Sequence, residues 1–220
     1  MFAKEDLNQL NQLIEGIERR KSRNRESTAA TYEDSPALKE IAAILDKCID
    51  EEQESLVNAY DGYAYLGKNY TSLGRFSVAA DYRLKALEAA LKAFENYNFK
   101  PDEVYELFSN LLRDRNYYVN DDCLDIMELV KGSELLPLKF VNEVYESRMK
   151  RRRSLKNDPV EMSPKYLALI DEVEEKIERN RTMRGMGSCF EYWDLKARYL
   201  HEKGIEWQTP FMLNPGVMFD

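Results

Sequence analysis

Apolar residues recur along this chain every three or four positions, which puts them on one face of a helix, and strand-like alternation is nearly absent. Leu7, Leu10, Ile14 and Ile17 predict a first amphipathic helix over 4–20. The following stretch, 21–35, is rich in Ser, Thr, Asn and Arg, has little to bury, and reads as a linker or loop. Ser35-Pro36 is expected to open a second helix, Ser as cap and Pro in the first turn, with Leu38, Ile41, Leu45, Cys48 and Ile49 inward. A helical hairpin is predicted over 55–97, its second helix running toward Tyr97. Lys100-Pro101-Asp102-Glu103 starts the next helix, buried through Val104, Leu107, Phe108, Leu111 and Leu112. Shorter helices are expected over 121–131, ending at Gly132, and from Pro137, with Phe140, Val141 and Val144 inward. Ser163-Pro164 restarts the pattern through Tyr166, Leu167, Leu169, Ile170, Val173 and Ile177, and a last helix is predicted over 188–203. The pattern defines an all-α chain.

Within the hairpin, Tyr63-x-x-Leu66-Gly67-x-x-Tyr70 is followed by Gly74, Phe76, Ala79, Tyr82 and Ala86. This run resembles a tetratricopeptide repeat, a helix–turn–helix unit with small residues where its helices meet. Gly67 and Ala79 are small where close approach is needed, and Gly74 suits a helix stop. Arg83 stands where the family has an aromatic, beside Tyr82, and Leu91 replaces the closing proline. Trp193, Ala197, Leu200 and Gly204 repeat the spacing of Tyr63, Gly67, Tyr70 and Gly74, with Lys196 in the place of Leu66. The resemblance implies degenerate tetratricopeptide-like hairpins stacked as a short solenoid over 36–203. It also implies a ligand-facing surface of Ala64, Lys68, Thr71 and Ser72, to which Arg75 is added as a contact. The carboxylate clamp of some relatives needs Lys, Asn and Arg from several repeats, and here Lys68 alone suits it.

Charge narrows the partners. The net charge of −8 argues against general attraction to nucleic acid or anionic membrane, and no apolar run reaches the ~20 residues of a membrane-spanning helix. The N-terminal residues lack the apolar core of a secretory signal. Cys48, Cys123 and Cys189 are odd in number and far apart, as for free thiols in a reducing cytoplasm.

Candidate chemistry is sparse. His201, the only histidine, has no metal-ligand spacing to a cysteine, and the acidic run 171–178 lacks the Glu-x-x-His pairs of diiron bundles. Arg181, Arg184, Gly185, Gly187 and Ser188 form the most site-like loop: two glycines ahead of a helix N-terminus beside arginines could cradle an anion. A capping box between Ser188 and Glu191 explains the same residues structurally. The cluster Lys150-Arg151-Arg152-Arg153 with Lys156 fits a helix C-terminus as well as a nucleic-acid patch. The segment 114–125 is acidic, but Tyr118 and Val119 stand where a calcium loop needs an oxygen ligand and a glycine, so helix capping around 120–122 is the reading. No catalytic residue, metal or cofactor is expected.

The final segment, 204–220, carries Ile205, Trp207, Phe211, Met212, Leu213, Val217, Met218 and Phe219 among two prolines. It is expected to be extended rather than helical and docked on the protein's own helices. Its Gly204-Ile205-x-Trp207 and Asn214-Pro215 wording resembles tails of certain bacterial proteins, which implies no activity. The expected function is non-catalytic binding of a protein or peptide. The alternatives are a small-molecule or nucleotide-handling enzyme centred on 184–192, and a homodimer formed through the tail or the first helix.

Overall fold

The computed structural model describes residues 2–23, 29–50, 52–118, 121–150, 155–183 and 185–219. Ten α-helices and no strand occur among the described residues. The chain divides into two compact units, Met1–Ser154 and Leu155–Asp220, so the helices expected as one domain over 36–203 are distributed over both.

The first unit contains α1 (Lys4–Arg23), α2 (Ser35–Cys48), α3 (Gln53–Ser72), α4 (Phe76–Ala93), α5 (Pro101–Arg113), α6 (Leu124–Leu129) and α7 (Leu138–Lys150). Leu38, Ile41 and Leu45 of α2 are fully buried, as are Val104, Phe108, Leu111 and Leu112 of α5; the periodic stripes of the sequence face one core. Ile49 is 40% exposed instead, because α2 stops one residue earlier and the chain turns extended there. Ser35 does not cap α2. Its hydroxyl lies inside and accepts a hydrogen bond from Arg75 at 3.0 Å, while Asp34, one residue earlier, takes the N-cap position. Asp34 accepts from the Thr31 amide at 3.0 Å and from Arg20 at 2.7 Å, which ties α1 to the entry of α2.

α3 and α4 pack along their length as an antiparallel hairpin. Alanines supply the close face of α4: Ala79, Ala80, Ala86 and Ala90 are fully buried. The rings of Tyr63 and Tyr70 on α3 both stack with Tyr82 on α4, centroids 6.0 and 5.4 Å apart. Tyr82 thus supplies the aromatic surface beside Arg83. Between the helices, Gly74 has φ +70°; its amide donates to Thr71 and the Arg75 amide to Tyr70. That bond pair is the Schellman stop, which needs a left-handed residue. Gly204 closes a later helix by the same two bonds, to His201 and Leu200, at φ +69°. α4 ends at Ala93 rather than near Tyr97, and Phe94–Asn96 turn before Phe99 is buried. α5 continues into one π-helical turn, Asp114–Tyr118.

In the second unit, α8 (Pro164–Asn180) and α9 (Ser188–Glu202) share a core of Tyr166, Ile170, Val173, Ile177, Leu195, Tyr199 and Leu200, completed by Ile205 and Trp207. Ser163 caps α8 through the Tyr166 amide at 3.2 Å. The prolines of the last segment do not exclude helix: Pro210 begins a short α10 (Pro210–Leu213), since a first-turn residue needs no amide hydrogen. Thr209 caps it through the Met212 amide at 3.2 Å.

A methyl group on Gly67 would lie 2.6 Å from Arg83 Cγ and 3.2 Å from the Ala79 carbonyl oxygen. Gly16 lies in the interior of α1, where an added Cβ meets only the Arg20 guanidinium at 3.9 Å. Gly67→Ala should therefore lose about 1–3 kcal/mol to overpacking, whereas Gly16→Ala should gain roughly 0.5–1 kcal/mol from helix propensity. Urea denaturation of both variants checks this; a shift of the same sign at both positions would contradict the close approach at Gly67.

Candidate binding cleft

Arg83 crosses beneath α3 at Gly67, and the close contact there sets where its guanidinium can go. It donates to Thr71 Oγ1 at 2.7 Å and to the Asp114 carboxylate. Asp114 is 0% exposed and also accepts from Arg113 Nε and Nη2 at 3.0 and 2.9 Å. The Thr71 hydroxyl lies 3.0 Å from the Gly67 carbonyl and 3.1 Å from Asp114. Burial pulls the Arg83 pKa down, and the facing Asp114 charge acts against that pull. Because a buried charge is tolerable only when paired and hydrogen-bonded, this network fixes the end of α5 against the α3–α4 hairpin.

A cleft of about 330 Å³ opens beside this network. From α3 it is lined by Tyr60, Asp61, Ala64, Tyr65 and Lys68, one helical face by spacing; from α5 come Glu103, Glu106, Leu107 and Asn110; Arg83 supplies α4's share. Two walls are held from behind. Tyr60 packs edge-on against Phe99 at 4.8 Å. The Tyr65 hydroxyl donates to Glu18 at 2.9 Å, and Glu18 also pairs with Lys21 at 2.8 Å. Lys21 and Tyr65 together hold the Glu18 carboxyl below its usual range against the opposing effect of burial.

Of the five residues expected on a ligand-facing surface, Ala64 and Lys68 line the cleft. Thr71 lies in the ion-pair network. Ser72 is exposed and bonds back to the Lys68 carbonyl at 3.3 Å, while Arg75 is buried and donates to Ser35. Sequence reasoning missed Arg83 and Asp114, which are 31 residues apart and share no period. It also missed Glu103, Glu106 and Asn110, whose spacing on the side of α5 away from its apolar stripe was a readable signal.

In the second unit, Gly185 and Gly187 have φ +89° and +79° before α9. Gly187, not Ser188, is the N-cap residue. Glu191 does not close a capping box; it accepts from the Thr182 amide and hydroxyl at 3.0 and 2.7 Å and from the Met183 amide at 2.6 Å. These bonds to the Thr182 hydroxyl and to the Thr182 and Met183 amides hold the Glu191 carboxyl below its usual range. Arg181 pairs with Glu178 at 3.4 Å; Arg184 lies outside the described residues. The adjoining cavity, about 490 Å³, presents Glu191 and Asp194 with Arg198.

Lys196, only 8% exposed, is surrounded by aromatic faces. Its Nζ is 4.5 Å from the Trp207 ring centroid and 5.4 Å from that of Tyr166. Glu161 Oε1 accepts from Lys196 at 3.2 Å and from the Trp207 indole at 2.8 Å. Burial opposes the ammonium charge, while the partners around it, with the Glu161 carboxylate as hydrogen-bond acceptor, act the other way and raise the pKa. His201 is exposed and pairs with Glu206 at 2.8 Å. In the acidic segment, Asp121 Oδ1 caps the Cys123 amide at 2.9 Å, and Arg115 pairs with Asp121 and Asp125 at 2.7 and 2.9 Å; Val119 and Asn120 lie outside the described residues, as do Arg151–Arg153. No group of metal-ligating side chains occurs among the described residues, and none of their helices is long and apolar enough to cross a membrane.

No family model matches the chain, and no curated protein or solved structure matches it.

Thr71→Val removes the hydroxyl that joins Arg83 and Asp114 while keeping the side-chain shape, so about 1–3 kcal/mol of stability should be lost. Ser72→Ala, one residue on and facing solvent, should stay within about 0.5 kcal/mol of the parent. Equal effects in chemical denaturation would contradict the network.

Proposed function

We propose that the chain is a non-catalytic module that binds a protein or peptide segment in the cleft between α3 and α5. The observation that carries this reading is the cleft itself. Helices α3 and α5 offer it the exposed side chains of Asp61, Lys68, Glu103 and Glu106, and Ala64 and Lys68 are the cleft residues that the tetratricopeptide resemblance expects on a ligand face. In such repeats the first helices of successive hairpins line a binding surface, and α3 and α5 are read here in that role, within a degenerate short solenoid. The first part of the segment 204–220 is read as a strap docked on its own helices through Ile205 and Trp207, both buried, while Phe211, Met212, Val217 and Met218 are exposed. A cytoplasmic setting fits the three free cysteines. The enzyme alternative at residues 184–192 ranks lower because the adjoining cavity presents the carboxylates Glu191 and Asp194 beside Arg198.

A photo-crosslinking side chain placed at position 68 should trap a discrete partner, and the purified partner should bind the whole chain more weakly after Ala64→Phe, which narrows the cleft. Position 139, on the exposed face of α7, serves as the control. Equal trapping from both positions, or an affinity indifferent to groove substitution, would contradict the reading.

A further inference from the structure

The chemistry of the cleft walls goes further than binding in general. Asp61, Glu103 and Glu106 converge on the same end of the cleft as the Tyr60 ring. Their convergence is visible at the Tyr60 hydroxyl, whose pKa is pushed up to about 12, first by burial and then by the charges of Glu103, Asp61 and Glu106. Asp61, though exposed, is pushed upward by partial loss of water and by Glu103, with Lys100 pulling the other way. The cations nearby are mostly engaged. Arg83 is bound to Asp114 and Thr71, and Lys100 reaches Glu103 at 2.8 Å. Lys68 sits beyond Ala64 on the same helical face, and its charge acts on Glu18 as well. Between the acidic end and Lys68 the walls are small or apolar, Ala64 and Leu107.

We infer that the α3–α5 cleft selects a basic segment of its partner, seating one Lys or Arg side chain among Asp61, Glu103 and Glu106 against the Tyr60 ring. The inference rests on the binding function proposed above and names the chemistry of the partner. At about 330 Å³ the cleft lies at the small end of ligand sites, ~300–1,000 Å³, which suits one long side chain and its flanking backbone rather than a whole helix. A cation entering there offsets the repulsion between Asp61 and Glu103, gains charge-assisted hydrogen bonds and meets the negative face of an aromatic ring. Its aliphatic stem lies along Ala64 and Leu107, as long basic side chains do on apolar surface. An acidic segment meets the opposite field and is rejected by like charge.

The test uses the full chain, isotope-labelled, and three pools of equal-length peptides enriched in Lys and Arg, in Asp and Glu, or in neutral residues. The Lys/Arg pool is expected to bind, to shift the amide resonances of Ala64 and Lys68, and to weaken as salt rises. Asp61→Asn combined with Glu106→Gln should reduce that binding at least about tenfold. Both side chains belong to exposed residues, and a helical circular dichroism spectrum matching the parent verifies that the variant is folded. If a neutral or acidic pool shifts the same amides with affinity unchanged by the double substitution, the charge selection is overturned and the binding function stands. If no pool moves Ala64 or Lys68, the binding function fails, and the selection with it.

Discussion

The buried pairing of Arg83 with Asp114 is the constraint on which the first unit's cleft depends. Neither group can sit away from water alone, because an uncompensated buried charge costs several kcal/mol. Their pairing therefore sets three positions together: the register of α4 against α3, the close approach at Gly67, and the point where α5 gives way to its π-helical turn. Thr71 and Arg113 complete the hydrogen bonds of the carboxylate. Once these are fixed, the Ala64–Lys68 face of α3 and the Glu103–Asn110 face of α5 lie across a cleft rather than against each other.

The second unit solves a similar problem differently. Lys196 is buried with one carboxylate, Glu161, and aromatic faces in place of a second ion. Because Glu161 also accepts the Trp207 indole hydrogen, the lysine joins α9 to the segment after it. In the first unit the buried cation secures neighbouring helices; in the second it secures a chain end. Both lie at positions where the tetratricopeptide pattern has a different residue, Arg83 for an aromatic and Lys196 for Leu.

The helices were legible because burial imposes a period, and almost every apolar stripe named from spacing faces a core. Helix stops at Gly74 and Gly204 were legible too, since glycine readily adopts the left-handed backbone that the Schellman bonds need. Caps were less so. Ser35 and Ser188 both had suitable chemistry, yet Asp34 and Gly187 took the cap positions; the Ser35 hydroxyl meets Arg75 instead. The cleft was half legible. Ala64 and Lys68 followed from helical spacing and resemblance, whereas Arg83 and Asp114 form a contact across 31 residues that has no local signature. Thr71 near the end of α3 and Arg75 at the start of α4 were read as surface, but contacts with Arg83 and Ser35 draw them inward.

A double-mutant cycle on Arg83 and Asp114, followed by chemical denaturation of the whole chain, tests this account most directly. Arg83→Met and Asp114→Asn should each cost about 3–5 kcal/mol, because each leaves the other group buried without its partner. Together they should cost less than the two losses added, by a coupling of about 1–3 kcal/mol. Additive losses, or single substitutions that leave stability unchanged, would contradict the claim that this pair organises the cleft.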